Sequence, residues 1–323
     1  MLARPVSGVT SAMEVLVSGG SGFIGRAVVA ALRQEGHRVR VLSRGTVPTP
    51  SGVSWARGSI LEPNRLPAAC RGCDAVLHLV GIIAEVGPQT YERVHVDGTR
   101  NLLAAARSEG VSRWVQMSAL GTRVGALARY HRTKWEAEEM VRDSGLRWTV
   151  HRPSIVFGPG DGFVNFFERM SRWSPVLPLI GGGRMQFQPI AVEDVARSFA
   201  GALSRPATEG QTYDLCGNER FTFRQLLAEI LRVTGRTRVL LPVPWALARV
   251  QAALAEWVVG RMLGRPPPMS RDALLMLRDD NVGDPGPMKR AFEFEPMGFQ
   301  EGIRRYLPAG PEQKSGARPS ECR

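Results

Sequence analysis

The sequence predicts an α/β chain, a doubly wound parallel sheet followed by a smaller C-terminal lobe. Three observations carry this expectation. A short apolar strand at 14–18 runs into a glycine-rich turn and a helix. Five further short strands then alternate with helical patterns up to residue 151. After residue 153 the alternation gives way to glycine loops and helices.

Residues 14–18, EVLVS, form the first strand and end in Gly19-Gly20-Ser21-Gly22-Phe23-Ile24-Gly25. Ile24, Val28, Val29, Ala31 and Leu32 follow at helical spacing, and Gly36 is placed for a C-cap. Val39 to Leu42 is the second strand and completes a β-turn-α-β unit, the unit that builds parallel sheet. Val53 to Ala56 is a weaker strand, and 75–80, AVLHLV, a buried one. Residues 92–109 read as helix to Gly110, 113–117 as strand and 130–144 as helix to Gly145. The sixth strand, 148–151, runs into Arg152-Pro153. Beyond it, Gly158-Pro159-Gly160 and Gly181-Gly182-Gly183 are loops, and Asp194 is placed to cap a helix over 195–203. Thr222 and Gln225 fit a capping box ahead of LLAEILRV. Residues 245–262 carry apolar side chains at 247, 250, 254, 257, 258 and 262, stopped by Pro266, Pro267 and Pro268. That is an amphipathic helix, expected to pack its stripe on its own domain.

The 323 residues are 43% hydrophobic and 22% charged, which excludes a disordered chain or a fibre. No run of about 18 apolar residues is present, so no transmembrane helix is expected. MLARPVSGVTSA at the start lacks the apolar core of a secretory signal, and either Met1 or Met13 is the start codon. Four cysteines are too few to staple a chain this long, which points to a reducing compartment. Cys70 and Cys73 form one C-x-x-C with only the isolated Cys216 and Cys322 beside it. No metal site is expected from that set; the pair reads as a helix end and a turn. The net charge is +12, yet 39 of the 42 basic residues are arginines spread along the chain. With no dense patch and no aromatic-basic module, nucleic acid is not expected as a partner. Acidic surfaces remain favoured.

Gly19-x-x-Gly22-x-x-Gly25 sits after a strand and opens a helix. Glycines there let the backbone approach a pyrophosphate, and the helix N-terminus supplies free N–H groups and a positive dipole. The turn is therefore a dinucleotide site of the Rossmann type, with Ser21, Phe23 and Ile24 among its contacts. At the end of the second strand an acid would bind the ribose 2′-hydroxyl of NAD, and an arginine would accommodate the 2′-phosphate of NADP. Leu42-Ser43-Arg44 has no acid, so NADP(H) is expected over NAD(H), with Ser43 and Arg44 at the phosphate.

Tyr130 and Lys134 lie four apart on one helix face. A phenol titrates near 10 and an ammonium beside it is expected to lower that value. The phenol then serves as acid or base toward a carbonyl or alcohol while hydride is exchanged with a nicotinamide. Ser118 ends the preceding strand at the carboxyl edge of the sheet, where its hydroxyl is expected to hold the substrate oxygen. It reads equally as a strand-end turn residue. His78 reads as a packed core residue, and Glu136, Glu138 and Glu139 as a solvated helix face.

These residues, with Arg152-Pro153-Ser154, resemble a short-chain dehydrogenase/reductase of the extended or atypical branch. Within it the chain is similar to the group of the NADPH-binding accessory subunit of respiratory complex I. HLVGII (78–83), VHVDGTRNLL (94–103), MSALG (117–121), YHRTKWEAEE (130–139), HRPSIVFGPGDGF (151–163), FQPIAVEDVA (187–196) and LRDDNV (277–282) carry the likeness, which spans about residues 13 to 307. The resemblance implies that Leu79, Val80 and Gly81 line the cofactor, that Pro153 and Ile155 flank the nicotinamide, and that Lys134 also holds the ribose. Where many relatives have an aspartate near the adenine, this chain has Ser59.

The expected organisation is an unstructured leader (1–12), a nucleotide-binding domain (13–215), a mostly helical substrate or partner lobe (216–307) and a disordered tail (308–323). Three functions stay open. The first is an NADP(H)-dependent oxidoreductase acting on a carbonyl, alcohol or quinone-related small molecule. The second is a non-catalytic NADPH-binding subunit or assembly factor of a respiratory or quinone-synthesising complex. The third is a nucleotide-sugar epimerase or dehydratase on the same scaffold. The expected location is cytoplasmic, with a peripheral seat on the inner face of a membrane left open by the basic amphipathic helix at 245–262.

Overall fold

Runs such as Val15-Leu16-Val17 and Val76-Leu77 are buried on both faces, as strands covered by helices on either side must be. The computed structural model describes residues 12–45 and 52–308. Most of the expected leader and tail, and Cys322, lie outside the described residues.

The first part of the chain runs β1 (Glu14–Ser18), α1 (Phe23–Gln34), β2 (Arg38–Ser43), β3 (Val53–Arg57), α2 (Leu66–Cys70) and β4 (Ala75–His78). A π-helical turn at Glu92–Asp97 then enters α3 (Gly98–Ser108), followed by β5 (Arg113–Met117), α4 (Arg129–Arg142) and β6 (Arg147–Pro153). The second part runs β7 (Val156–Phe157), α5 (Val164–Trp173), β8 (Val176–Ile180), β9 (Gln186–Phe187), β10 (Ile190–Ala191), α6 (Val192–Ser204) and β11 (Gln211–Leu215). It continues with β12 (Phe221–Thr222), α7 (Phe223–Val233), β13 (Val239–Val243), α8 (Trp245–Ala255), α9 (Arg271–Met276), α10 (Gly286–Phe292) and α11 (Phe299–Arg304).

The central sheet has seven strands in the order β11-β6-β5-β4-β1-β2-β3, and every pairing is parallel. The doubly wound expectation holds, with one strand more than the sequence revealed. That strand, β11, lies on the outer side of β6 with Tyr213 opposite His151. One core packs α1 and α6 against the sheet through Val28, Leu32, Val195 and Phe199. The opposite face is covered by α2, α3 and α4, through Leu66, Leu102 and Val141.

A further core joins Phe157, Phe167, Leu177 and Phe187 to Phe223, Leu226, Ile230, Phe299 and Ile303. The chain crosses between cores more than once, since Met288, Phe292 and Phe294 return to the sheet-side core. The capping box forms as expected: the Thr222 side chain takes the Gln225 N–H and the Gln225 side chain takes the Thr222 N–H.

Three expectations are corrected. Asp194 does not cap its helix, which begins at Val192 with Ala191 at the cap position. Its carboxylate instead accepts the Met297 N–H at 2.7 Å and ties the last segment down. Glu138 is not on a solvated face: it is 0% exposed and takes both arms of the Arg152 guanidinium, at 2.9 and 2.7 Å. The apolar stripe of the helix beginning at Trp245 does not pack inward. Leu247, Val250, Leu254 and Trp257 are exposed, while the small Ala248 and Ala252 on the opposite side are buried. Cys70 and Cys73 do sit at a helix end and turn, and burial pushes their thiols up to about 12 and about 11.

Candidate functional site

The strand order reverses between β1 and β4, and their carboxyl ends open on a cleft of about 710 Å³. The β1–α1 turn forms one wall. Gly19 has a φ of 82°, and a Cβ there would stand 3.1 Å from the Leu79 carbonyl carbon and the Val80 nitrogen. A Cβ on Gly25 would stand 2.1 Å from the Gly19 oxygen, so this glycine closes the turn itself. Gly22 differs. Its φ is −74°, a Cβ would meet only the Gly19 oxygen, at 3.3 Å, and the residue lines the cleft.

The two glycines therefore separate folding from binding. Gly22→Val is expected to keep the native circular dichroism spectrum and weaken dinucleotide binding by more than about tenfold, by filling the phosphate approach. Gly25→Val is expected to lose the turn and much of the stability. Cofactor titration beside thermal unfolding checks both; a Gly22→Val protein that binds normally would put the phosphate loop elsewhere.

Ser21, Phe23, Ile24, Ser43, Arg44, Leu79, Val80 and Gly81 all line the same cleft. The Ser43 hydroxyl donates to the Gly45 carbonyl at 3.0 Å, turning the chain as β2 ends. Arg44 is exposed on the cleft wall. Arg57, in register with Ser43, adds a second exposed guanidinium at this sheet edge. Ser59 lines the cleft with its hydroxyl accepting the Leu61 N–H at 3.2 Å. The open turn and the cleft volume fit a dinucleotide, with the two exposed guanidinium groups at the sheet edge beside it.

At the inner end, Lys134 is 2% exposed and donates from Nζ to the Met117 carbonyl at 3.2 Å. A Cβ on Gly81 would lie 2.9 Å from that Nζ, so glycine at 81 leaves the lysine its place. Tyr130 stands one helical turn away, edge-on to Tyr91, His95 and His131 at centroid distances of 5.9, 5.3 and 5.2 Å. Ser118 follows Met117 directly. Its N–H donates to the His151 carbonyl at 2.7 Å and its hydroxyl to Thr122 Oγ1 at 3.3 Å. Pro153 and Ile155 are not on the cleft wall; Pro153 ends β6, and Ile155 packs on the lobe core.

Electrostatics here are set by burial. It pushes the Tyr130 phenol up to about 12 and the Lys134 ammonium down to about 8, the latter opposed by Glu138. Burial, and not the lysine one turn away, sets the direction of the phenol's shift, so the expected lowering is not found. His95 is held neutral, at about 2, by burial first and Lys134 second. The Ile82 N–H donates to its Nε2 at 3.2 Å, which leaves Nδ1 the proton and Thr133 Oγ1 the acceptor at 2.9 Å. His78, expected in the core, is fully buried between Ser18 and Thr99 hydroxyls.

Two further residues serve the site. The Asp272 carboxylate, from α9, accepts the N–H groups of Arg129 and Tyr130 at 2.7 and 3.0 Å. It supplies the cap that Ala128 lacks, so the lobe fixes the start of the helix bearing Tyr130 and Lys134. Glu138, one turn after Lys134, locks α4 to β6 through Arg152. Neither has a local sequence signal, since each partner is distant in the chain.

The model of the NAD dependent epimerase/dehydratase family matches residues 15–216. Over 275 residues the chain is 28% identical to subunit 9 of the NADH dehydrogenase (ubiquinone) 1 alpha subcomplex, mitochondrial, of Arabidopsis thaliana. That match covers 81% of this chain and 68% of the relative. It is also 28% identical to the 2-alkyl-3-oxoalkanoate reductase of Stenotrophomonas maltophilia, covering 91% of this chain and 98% of the relative. Among solved structures, the UDP-glucose 4-epimerase of Thermus thermophilus in complex with NAD superposes with a TM-score of 0.69 at 26% identity. It covers 90% of this chain and 97% of that one.

Proposed function

The chain belongs to the NAD dependent epimerase/dehydratase family, whose members bind a nicotinamide dinucleotide, and from that premise we propose that it is an NADP(H)-dependent reductase of a carbonyl compound bearing an alkyl chain. The observation that carries this reading is the Tyr130–Lys134 pair, buried on the helix whose lysine reaches the inner end of the dinucleotide cleft. The name of the Stenotrophomonas relative supplies the substrate class.

Gly19, Gly22 and Gly25 would hold the pyrophosphate, Arg44 the 2′-phosphate, and Leu79, Val80 and Gly81 the face toward the nicotinamide. When bound, the cofactor supplies the hydride. Tyr130 gives its proton to the substrate oxygen, and its high pKa keeps that proton in place until a negative oxygen develops beside it. Lys134 stabilises the phenolate left behind. Ser118 orients the oxygen once its hydroxyl turns from Thr122.

Arg44 decides between cofactors. Arg44→Ala is expected to weaken NADPH binding about 10- to 100-fold and leave NADH unchanged, since only the former loses a charge-assisted contact. Titration of both cofactors against both proteins is the check. Equal wild-type affinities would remove the NADP assignment.

A second reading has its own support. The likeness to a mitochondrial NADH dehydrogenase subunit favours an NADPH-holding subunit of a respiratory or quinone-synthesising complex. In either role we place the chain at the membrane periphery. The test is NADPH oxidation against 3-oxo acids of increasing chain length, ketones, aldehydes and quinones, beside pull-down from solubilised membranes. Turnover that rises with alkyl length supports the reductase. No turnover on any compound, with stoichiometric recovery in a complex, replaces it by the subunit.

A further inference from the structure

The lobe carries its largest apolar side chains outward. Leu247, Val250, Leu254 and Trp257 recur at spacings of three and four along α8 and the π-helical turn at Glu256–Met262, so they form one ridge. Met262 and Leu263 extend it. Trp257 is 57% exposed and Val250 66%, values that a packed helix face does not show. The ridge is held up from beneath by Ala248 and Ala252 on Leu274 and Ile180.

Basic side chains outnumber acidic ones along this segment. Between Trp245 and Arg278 the chain has five arginines and two acids. Both acids are engaged: Glu256 pairs with Arg271 at 2.7 Å, and Asp272 caps α4. Among the described residues, Arg249, Arg261, Arg265 and Arg278 have no carboxylate partner. Arg249, Arg271 and Arg278 also line, with Trp245, Leu274 and Leu275, a mainly apolar pocket of about 380 Å³.

We propose that this face docks on an anionic bilayer, with the ridge in the acyl boundary and the guanidinium groups of Arg249, Arg261, Arg265 and Arg278 on the lipid phosphates. An apolar ridge with a tryptophan matches the headgroup–acyl boundary, and flanking guanidinium groups match the phosphates above it. Each arginine near such a surface adds an attraction that salt screens. The inference rests on the peripheral-membrane part of the proposed function and is independent of its catalytic part.

Vesicle flotation tests it, using phosphatidylcholine alone and phosphatidylcholine mixed equally with phosphatidylglycerol. The wild-type chain is expected to float with the mixed vesicles only, and less as salt is raised. Leu254→Glu with Trp257→Glu should lower binding by more than about tenfold through the apolar arm. Arg249→Glu with Arg278→Glu should do the same through the charged arm. All these positions are outside the dinucleotide cleft, so NADPH affinity and circular dichroism stay at wild-type values and keep this test apart from the reductase reading. No flotation on mixed vesicles, or equal flotation on both kinds, overturns the proposal. So does a wild-type dimer in light scattering that Leu254→Glu with Trp257→Glu turns into monomer, since a second copy then covers the ridge.

Discussion

Tyr130→Phe lowers turnover by about 10²–10⁴ and leaves NADPH affinity at its wild-type value, the range for loss of a positioned proton donor. The phenyl ring still fills the space between Tyr91, His95 and His131, so packing is kept and only the hydroxyl is lost. Lys134→Ala behaves differently and lowers both, because its ammonium reaches the cleft end beside Gly81 as well as serving the tyrosine. Single-turnover rates with equilibrium binding distinguish the two patterns. Turnover that survives Tyr130→Phe would refute the assigned acid.

Acid destabilises this fold steeply between about pH 6.5 and pH 4, through four buried histidines. His78, His95, His131 and His151 are held neutral by burial, at about 3, 2, 4 and 3. In the unfolded chain each takes a proton near 6.5, so below that pH the unfolded state binds more protons and stability falls as pH falls. Each histidine contributes about 1.4 kcal/mol per pH unit, and the four together about 5 kcal/mol per unit once all are protonated in the unfolded chain. Burial raises the carboxyls of Asp194 and Asp214, which works in the opposite direction but only nearer the carboxylate range. Melting temperatures across this window measure the slope, expected at about 5–10 °C per unit for a chain of this size. A flat profile from pH 7 to 5 would show that the histidines protonate in the folded state.

The parts legible in the sequence were those whose cause is local. The glycines of the β1–α1 turn, the apolar strands and the Thr222–Gln225 box each depend on neighbours within a few residues. What escaped depends on partners far along the chain. β11 is QTYDL, an edge strand with only Tyr213 and Leu215 buried, and its evidence is its pairing with β6. Glu138 has the spacing of a solvated residue, and only the fold brings Arg152 to it. Asp272 reaches α4 across 142 residues to Tyr130. Periodicity found the stripe at 247–257 but not its direction. Ala248 and Ala252 face inward because small side chains let α8 lie close to its support.

The order in which the chain visits its cores also bears on how it is made. Met288, Phe292 and Phe294 finish the sheet-side core, and Phe299, Ile303 and Leu307 finish the lobe. On a ribosome neither can close until Phe294 and Leu307 have emerged. At about 5–20 residues per second, synthesis leaves parallel strands and apolar helix faces uncovered for tens of seconds. A nascent chain of this design depends on being shielded from its neighbours until Leu307 is out.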